Sequence, residues 1–163
     1  MSGAGDDFWR FSLALYRREG VPETCVALQD DHGVDVNVLF YCLFRAERGH
    51  ALSPGDVARL DETMSPWRDM VVRPLRQVRR ALKTPGIAAL AADDDALRQR
   101  VKAVELEAEK RQQMALALIG AGIRGREAEP AEAARISWHS YGSHLGGDLP
   151  EAALDRLVGS RAG

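Results

Sequence analysis

Asp30, Asp31, His32 and Asp35 fall within six residues of the stretch LQDDHGVDVNVLFYCLF, Leu28 to Phe44. Carboxylate oxygens suit magnesium or calcium, and imidazole is a borderline ligand, so this group is a candidate cation site. Spacing argues against a calcium loop. In an EF-hand opened by Asp30, Gly33 misses the required sixth position and the twelfth, Tyr41, offers no carboxylate. The same residues also describe a helix-helix corner that needs no ion. Gly33 suits the left-handed residue after a helix, His32 favours that helix's negative end, and Asp35 can cap the next helix. Val34 and Leu39 then occupy the two positions of a hydrophobic staple. Gln29, Asp30 and Asn37 are left over, as a structural polar network or as the wall of a binding site. Asp30 and Asp31 are the only magnesium ligands worth naming, and they rank low.

Other motifs weaken on inspection of their context. DDHGVD resembles the aspartate-rich segment with which all-α isoprenoid synthases hold magnesium, but it has an extra residue before its last aspartate and no convincing second aspartate motif on a facing helix. Gly120, Gly122 and Gly125 stand in GxGxxG spacing, yet they follow a helical pattern rather than a strand, and only 38 residues remain after Gly125. His139 and His144 are five apart, which on a helix sends them to different sides. No G-x-S-x-G is present, so hydrolase chemistry has no support. Cys25 and Cys42 lie in apolar surroundings without zinc spacing and read as small buried hydrophobes.

Charge offers a further candidate. In SPWRDMVVRPLRQVRRALK, Arg73, Arg76, Arg80 and Lys83 share one arc of the helix, a basic face suited to phosphates, an acidic partner or nucleic acid. Asp69 lies on the same side. Trp67, Val71, Leu75, Val78 and Leu82 fall within another arc of roughly 80° and predict a core stripe. Pro74 interrupts the pattern and predicts a kink or an unpaired carbonyl.

The elements that must carry these residues are helical, because apolar residues recur at three and four and strand signals are scarce. The expected helices run over about 6–18, a short one from Pro22, Val36–Arg48, starts at Ser53-Pro54 and Ser65-Pro66, Ala96 to about Ile119, Ala131–His144 and Pro150–Val158. The Val36–Arg48 helix is apolar nearly all round and should be central. The fold expected is an all-α, single-domain irregular bundle of about six to seven helices over 1–163. Residues 1–90 form its core, and 91–163 a long amphipathic helix and helical tail. With 163 residues, 45% apolar and 28% charged, the chain has the composition of a soluble globular protein, and its net charge of −2 sets up no global field toward nucleic acid or anionic membrane. The start MSGAGDDFWR has neither a basic nor an apolar signal segment, so cytoplasm is expected.

FWRFSLALY at Phe8 to Tyr16, LQDDHGVDVNVLFYCLF, and the segment from Trp67 to Lys83 together resemble a family of small proteobacterial proteins described only as a domain of unknown function. The resemblance covers about the first half of the chain, with no matching motif from about Asp93 onward. It implies a bacterial cytoplasmic protein and brings no activity, cofactor or catalytic residue. The expected function is therefore non-enzymatic: interaction or regulation through the basic face, with a protein partner, no cofactor and no membrane. Nucleic acid ranks well behind as a partner, and self-association through the long helix stays open. The alternative is a small-ligand or diphosphate binder, or a magnesium-dependent enzyme, at the Gln29–Asn37 corner, with Arg76 or Arg80 as phosphate clamps.

Overall fold

The computed structural model describes residues 3–91 and 95–159. It is all-α, as the periodicity predicts, with helices α1 (Ala4–Tyr16), α2 (Val21–His32), α3 (Val36–Glu47), α4 (Pro54–Trp67), α5 (Arg73–Ala81), α6 (Pro85–Ala88), α7 (Ala96–Gly120), α8 (Pro130–Leu145) and α9 (Glu151–Val158). Two-residue strands β1 (His50–Ala51) and β2 (Arg126–Glu127) pair antiparallel, His50 opposite Glu127. The chain divides into two compact units, residues 1–62 with 113–163, and residues 63–112.

The first unit is built around α3. Val38 through Phe44 and Ala46 are all buried, so this helix has no solvent face over two turns. It packs chiefly on α8, whose Trp138 and Tyr141 are almost completely buried. From α1, Phe8 meets Tyr41 edge-on at 5.2 Å, and Phe11 meets Phe44 at 5.6 Å. Edge-to-face pairs of this kind add about 0.5–1.5 kcal/mol beyond their buried area. α9 lies on α2. The C-terminal tail thus supplies core residues to this unit.

α4 opens with a capping box. Ser53 Oγ accepts from the Asp56 N–H at 3.1 Å, and Asp56 Oδ2 accepts from the Ser53 N–H at 3.0 Å. The helix start expected at Ser65-Pro66 is absent: Pro66 lies inside α4, and the Ser65 hydroxyl donates to Asp69 Oδ2 instead of capping.

The second unit corrects the expected core stripe. Between α4 and α5 the chain makes a π-turn over Arg68–Val72, next to Pro74. A proline inside a helix lacks its N–H and crowds the carbonyl four residues back, and a widened turn relieves both. That turn carries one extra residue and shifts the side-chain register after it. Val72 is consequently the buried valine, at 2% exposure, while Val78 of the expected stripe is 48% exposed and Val71, Leu75 and Leu82 are half-buried. The connector after Lys83 is itself helical in α6 and turns once more as a 3-10 helix over Ala89–Ala91.

Candidate functional site

The corner between α2 and α3 forms from local signals. Gly33 is left-handed at φ 70°, its N–H donates to Gln29 O, and the Val34 N–H donates to Leu28 O. Asp35 caps α3 through Oδ1, which accepts from the Asn37 N–H at 2.9 Å. Val34 and Leu39 are both buried, as a staple requires. The Asp35 N–H in turn donates to Tyr141 Oη at 2.8 Å, which ties the corner to α8.

Of the three residues left over, Asn37 turns inward. Its Oδ1 accepts from Gln113 Nε2 at 2.9 Å. Gln29 is half-buried, and Asp30 and Asp31 are exposed. Among the described residues no three His, Cys, Asp or Glu side chains stand close enough to share a metal ion.

The glycine spacing after α7 has a packing explanation. A Cβ on Gly120 would stand 1.8 Å from Tyr41 Oη, and Gly125 has φ 73° with Ala51 O 2.9 Å from where its Cβ would be. Arg45 closes this turn. Its guanidinium donates to the carbonyls of Gly120 (2.8 Å), Ile123 (2.7 Å) and Arg124 (2.9 Å), so a side chain satisfies the carbonyls at the end of α7.

The basic candidates lie in the second unit and divide into two groups. Arg76 is drawn inward and donates to Glu105 Oε1 at 3.2 Å and Glu109 Oε1 at 3.0 Å. Arg79, a residue the sequence did not single out, is bound to the same Glu105 carboxylate, and that hydrogen bond pushes its pKa further up. Glu105 is 5% exposed, so this part of the helix holds a buried ionic cluster. Arg73, Arg80 and Lys83 remain exposed. Arg73 pairs with Asp69 one turn earlier at 2.8 Å, both side chains about half exposed. Gln77, Pro74 and Val78 continue the same exposed surface, and Met70 stands 78% exposed in the π-turn.

Charge along the chain separates with the units. Residues 63–112 carry eleven Lys and Arg against seven Asp and Glu, whereas the whole chain carries 22 against 24. The basic excess is therefore confined to the second unit.

A pair invisible in the sequence joins Asp61 of α4 to His144 at the end of α8, Oδ2 to Nε2 at 2.8 Å, with both side chains largely buried. Tyr141 stacks on the His144 ring at 6.3 Å between centroids. A separation of 83 residues hides this pair, and no spacing rule finds it. His139 points elsewhere and meets Glu151 at 3.3 Å in an exposed contact. The nearby Cys42 thiol is pushed up to about 12 by burial and by the Asp61 carboxylate, so it is protonated and inert at neutral pH.

A family model described as a protein of unknown function (DUF2390) matches residues 7–116, more than half of the chain. The match runs past Lys83 into α7, beyond the stretches whose motifs are legible by eye. No curated protein and no solved structure matches the chain.

Proposed function

We propose that this chain, which belongs to the DUF2390 family of proteins of unknown function, is a non-enzymatic protein-interaction module. It docks an acidic surface of a protein partner on the exposed basic side of α5. The carrying observation is the sorting of arginines within one helix: Arg76 and Arg79 are drawn inward onto Glu105 and Glu109, while Arg73 and Arg80 lie exposed on the side that Gln77 shares. An exposed pair such as Arg73 with Asp69 is worth only about 0–1 kcal/mol, so Arg73 exchanges Asp69 for a partner's carboxylate at little cost. The chain's net charge of −2 sets up no global field toward a phosphate backbone, which favours a protein partner over nucleic acid. A cytoplasmic bacterial setting is part of this proposal.

Capture from native cell extract tests it, with wild type compared against R73E/R80E after nuclease treatment. The partner should be acidic, survive nuclease and be lost with the double reversal. Retention by R73E/R80E, or capture of nucleic acid in place of protein, overturns the proposal. Arg76 is left intact because its reversal disturbs the buried cluster rather than the surface.

A further inference from the structure

We infer that the second unit pairs with the second unit of another copy of this chain, through an apolar face on the side of α5 and α7 opposite Arg73 and Arg80. Residues 63–112 hold seven of the twelve exposed large apolar side chains among the described residues, and the large apolar ones they bury are only Met64 and Val72. Ion pairs hold α5 on α7 instead. Arg76 reaches Glu109, and Arg79, further along α5, reaches back to Glu105, so the two helices run antiparallel. On α5, Val78 is 48% exposed and Leu75 and Leu82 are half-buried; on α7, Leu97 and Val104 are 45% and 51% exposed and Val101 is half-buried. At roughly 100° per residue, the α5 trio lies about 70–130° round from the side that carries Arg76 and Arg79. The α7 trio lies about 60–120° round, in the same sense, from the side that carries Glu105 and Glu109. In an antiparallel pair equal senses of rotation reach the same face, so the six residues form one surface. Arg73, Gln77 and Arg80 lie in the other sense, which makes this face independent of the docking reading above.

Spacing and charge select a second copy. Leu75, Val78 and Leu82 are three and four residues apart, and Leu97, Val101, Val104 and Ala108 are four, three and four apart, the period of an apolar seam between helices. Beside that seam, on the edge of α7 away from α5, stand exposed Arg100 and Glu107. A two-fold axis near Ala103 lays α7 antiparallel on α7 of the second copy, with Val101 against Val104 and Arg100 against Glu107, each contact made twice. The same axis crosses α5 near Val78, because Arg79 is level with Glu105, and it sets Leu75 opposite Leu82 of the second copy. One register therefore satisfies both helices. An edge that carries both signs complements itself, whereas a partner of one sign is repelled by half of it. Glu107 keeps its exposed contact with Arg111 and adds Arg100 of the second copy, just as Glu105 serves two arginines. Apolar burial drives the contact and the ion pairs fix its register, giving this helix pair the second layer it lacks.

Sedimentation velocity on the full chain tests this. Wild type should dimerise and stay dimeric at 1 M salt, where charge is screened beyond about 3 Å but apolar burial persists. L97E/V104E and V78E should each weaken dimerisation at least about tenfold by burying carboxylates in the seam. R100E alone and E107R alone should weaken it at low salt, and R100E/E107R should recover it, since the double swap again sets opposite charges together. R73E/R80E, on the opposite face, should leave it unchanged. Circular dichroism confirms that each variant is folded, and the exposed charge swaps serve if an apolar variant is not. A wild type that is monomeric at its highest soluble concentration, a dimer that folded L97E/V104E and V78E leave intact, or a double swap as weak as the single ones overturns the inference. A monomer that captures a different protein through this face, lost in L97E/V104E, also overturns the second copy as its occupant. The docking reading fails separately, when R73E/R80E retains the captured acidic partner, whether or not the chain dimerises.

Discussion

Asn37 Oδ1 accepts a hydrogen bond from Gln113 Nε2 at 2.9 Å, joining the first turn of α3 to a Gln side chain of α7 that is 2% exposed. The bond answers where one of the polar groups beside the buried helix goes. Asn37→Ala removes the acceptor and leaves the Gln113 amide without it, which should cost about 1–3 kcal/mol. Replacing both, as N37A/Q113M, should cost less than the sum of the single changes, because no buried amide is then stranded. Urea unfolding of the four proteins in the cycle checks it, and strict additivity would count against the bond.

The glycine-rich turn gives a sharper contrast. Gly120→Ala forces a methyl group against the Tyr41 phenol, whose Oη stands 1.8 Å from the new Cβ, and overpacking of this kind costs about 1–3 kcal/mol. At Gly122 the nearest atom is 3.5 Å away, so Gly122→Ala should stay within about 0.5 kcal/mol. A nucleotide-binding loop would respond differently, with ligand affinity rather than stability carrying the effect. Thermal melting of both variants without ligand separates the cases. Equal losses at the two positions would contradict the Tyr41 packing account.

What the sequence discloses here follows the reach of its signals. Gly33, Asp35, Val34 and Leu39 act within seven residues, so the α2–α3 corner was readable down to its capping atom. The candidate site was readable only as residue types. Asn37 finds Gln113 76 residues away, Arg76 finds Glu105 29 away, and Asp61 finds His144 83 away, and each pairing depends on tertiary folding rather than spacing. The stripe through Trp67 and Val78 failed for a different reason: constant rotation of 100° per residue does not hold across a π-turn, and one extra residue moved burial from Val71 to Val72. Ser65-Pro66 has the composition of a helix start, yet its hydroxyl took Asp69 as partner and the helix ran on.

Glu105 is the hinge of the second unit's electrostatics, since two guanidiniums share its carboxylate. Glu105→Ala strands Arg79 partly buried and leaves Arg76 with Glu109 alone. Removing one partner of a buried ion pair costs about 3–5 kcal/mol, and the loss here should sit at or below the lower end because both arginines keep about a fifth of their surface exposed. Glu109→Ala removes a more exposed partner of Arg76 alone and should cost less. Denaturant midpoints of the two variants rank them. A Glu109 variant as unstable as the Glu105 one would show that the cluster is not centred on Glu105.

Cys25 and Cys42 make the chain sensitive to alkali. Burial pushes both thiols from the ordinary 9.0 up to about 12, and the Asp61 carboxylate adds to the shift at Cys42. Only a thiolate attacks an alkylating agent, so the native protein should resist iodoacetamide near neutral pH while the unfolded chain reacts. The same shift fixes the sign of a stability effect. Folded thiols keep protons that the unfolded chain has released, so stability is intact below about pH 9 and falls progressively as pH rises toward about 12. Tyr141, raised above the usual phenol range by burial, acts in the same direction at the upper end of that window. Urea midpoints measured between about pH 8 and 11 should fall for wild type, and the fall should be shallower in C25A/C42A, which starts less stable but has no thiols to ionise. Parallel pH profiles for the two proteins would remove the thiols as the cause.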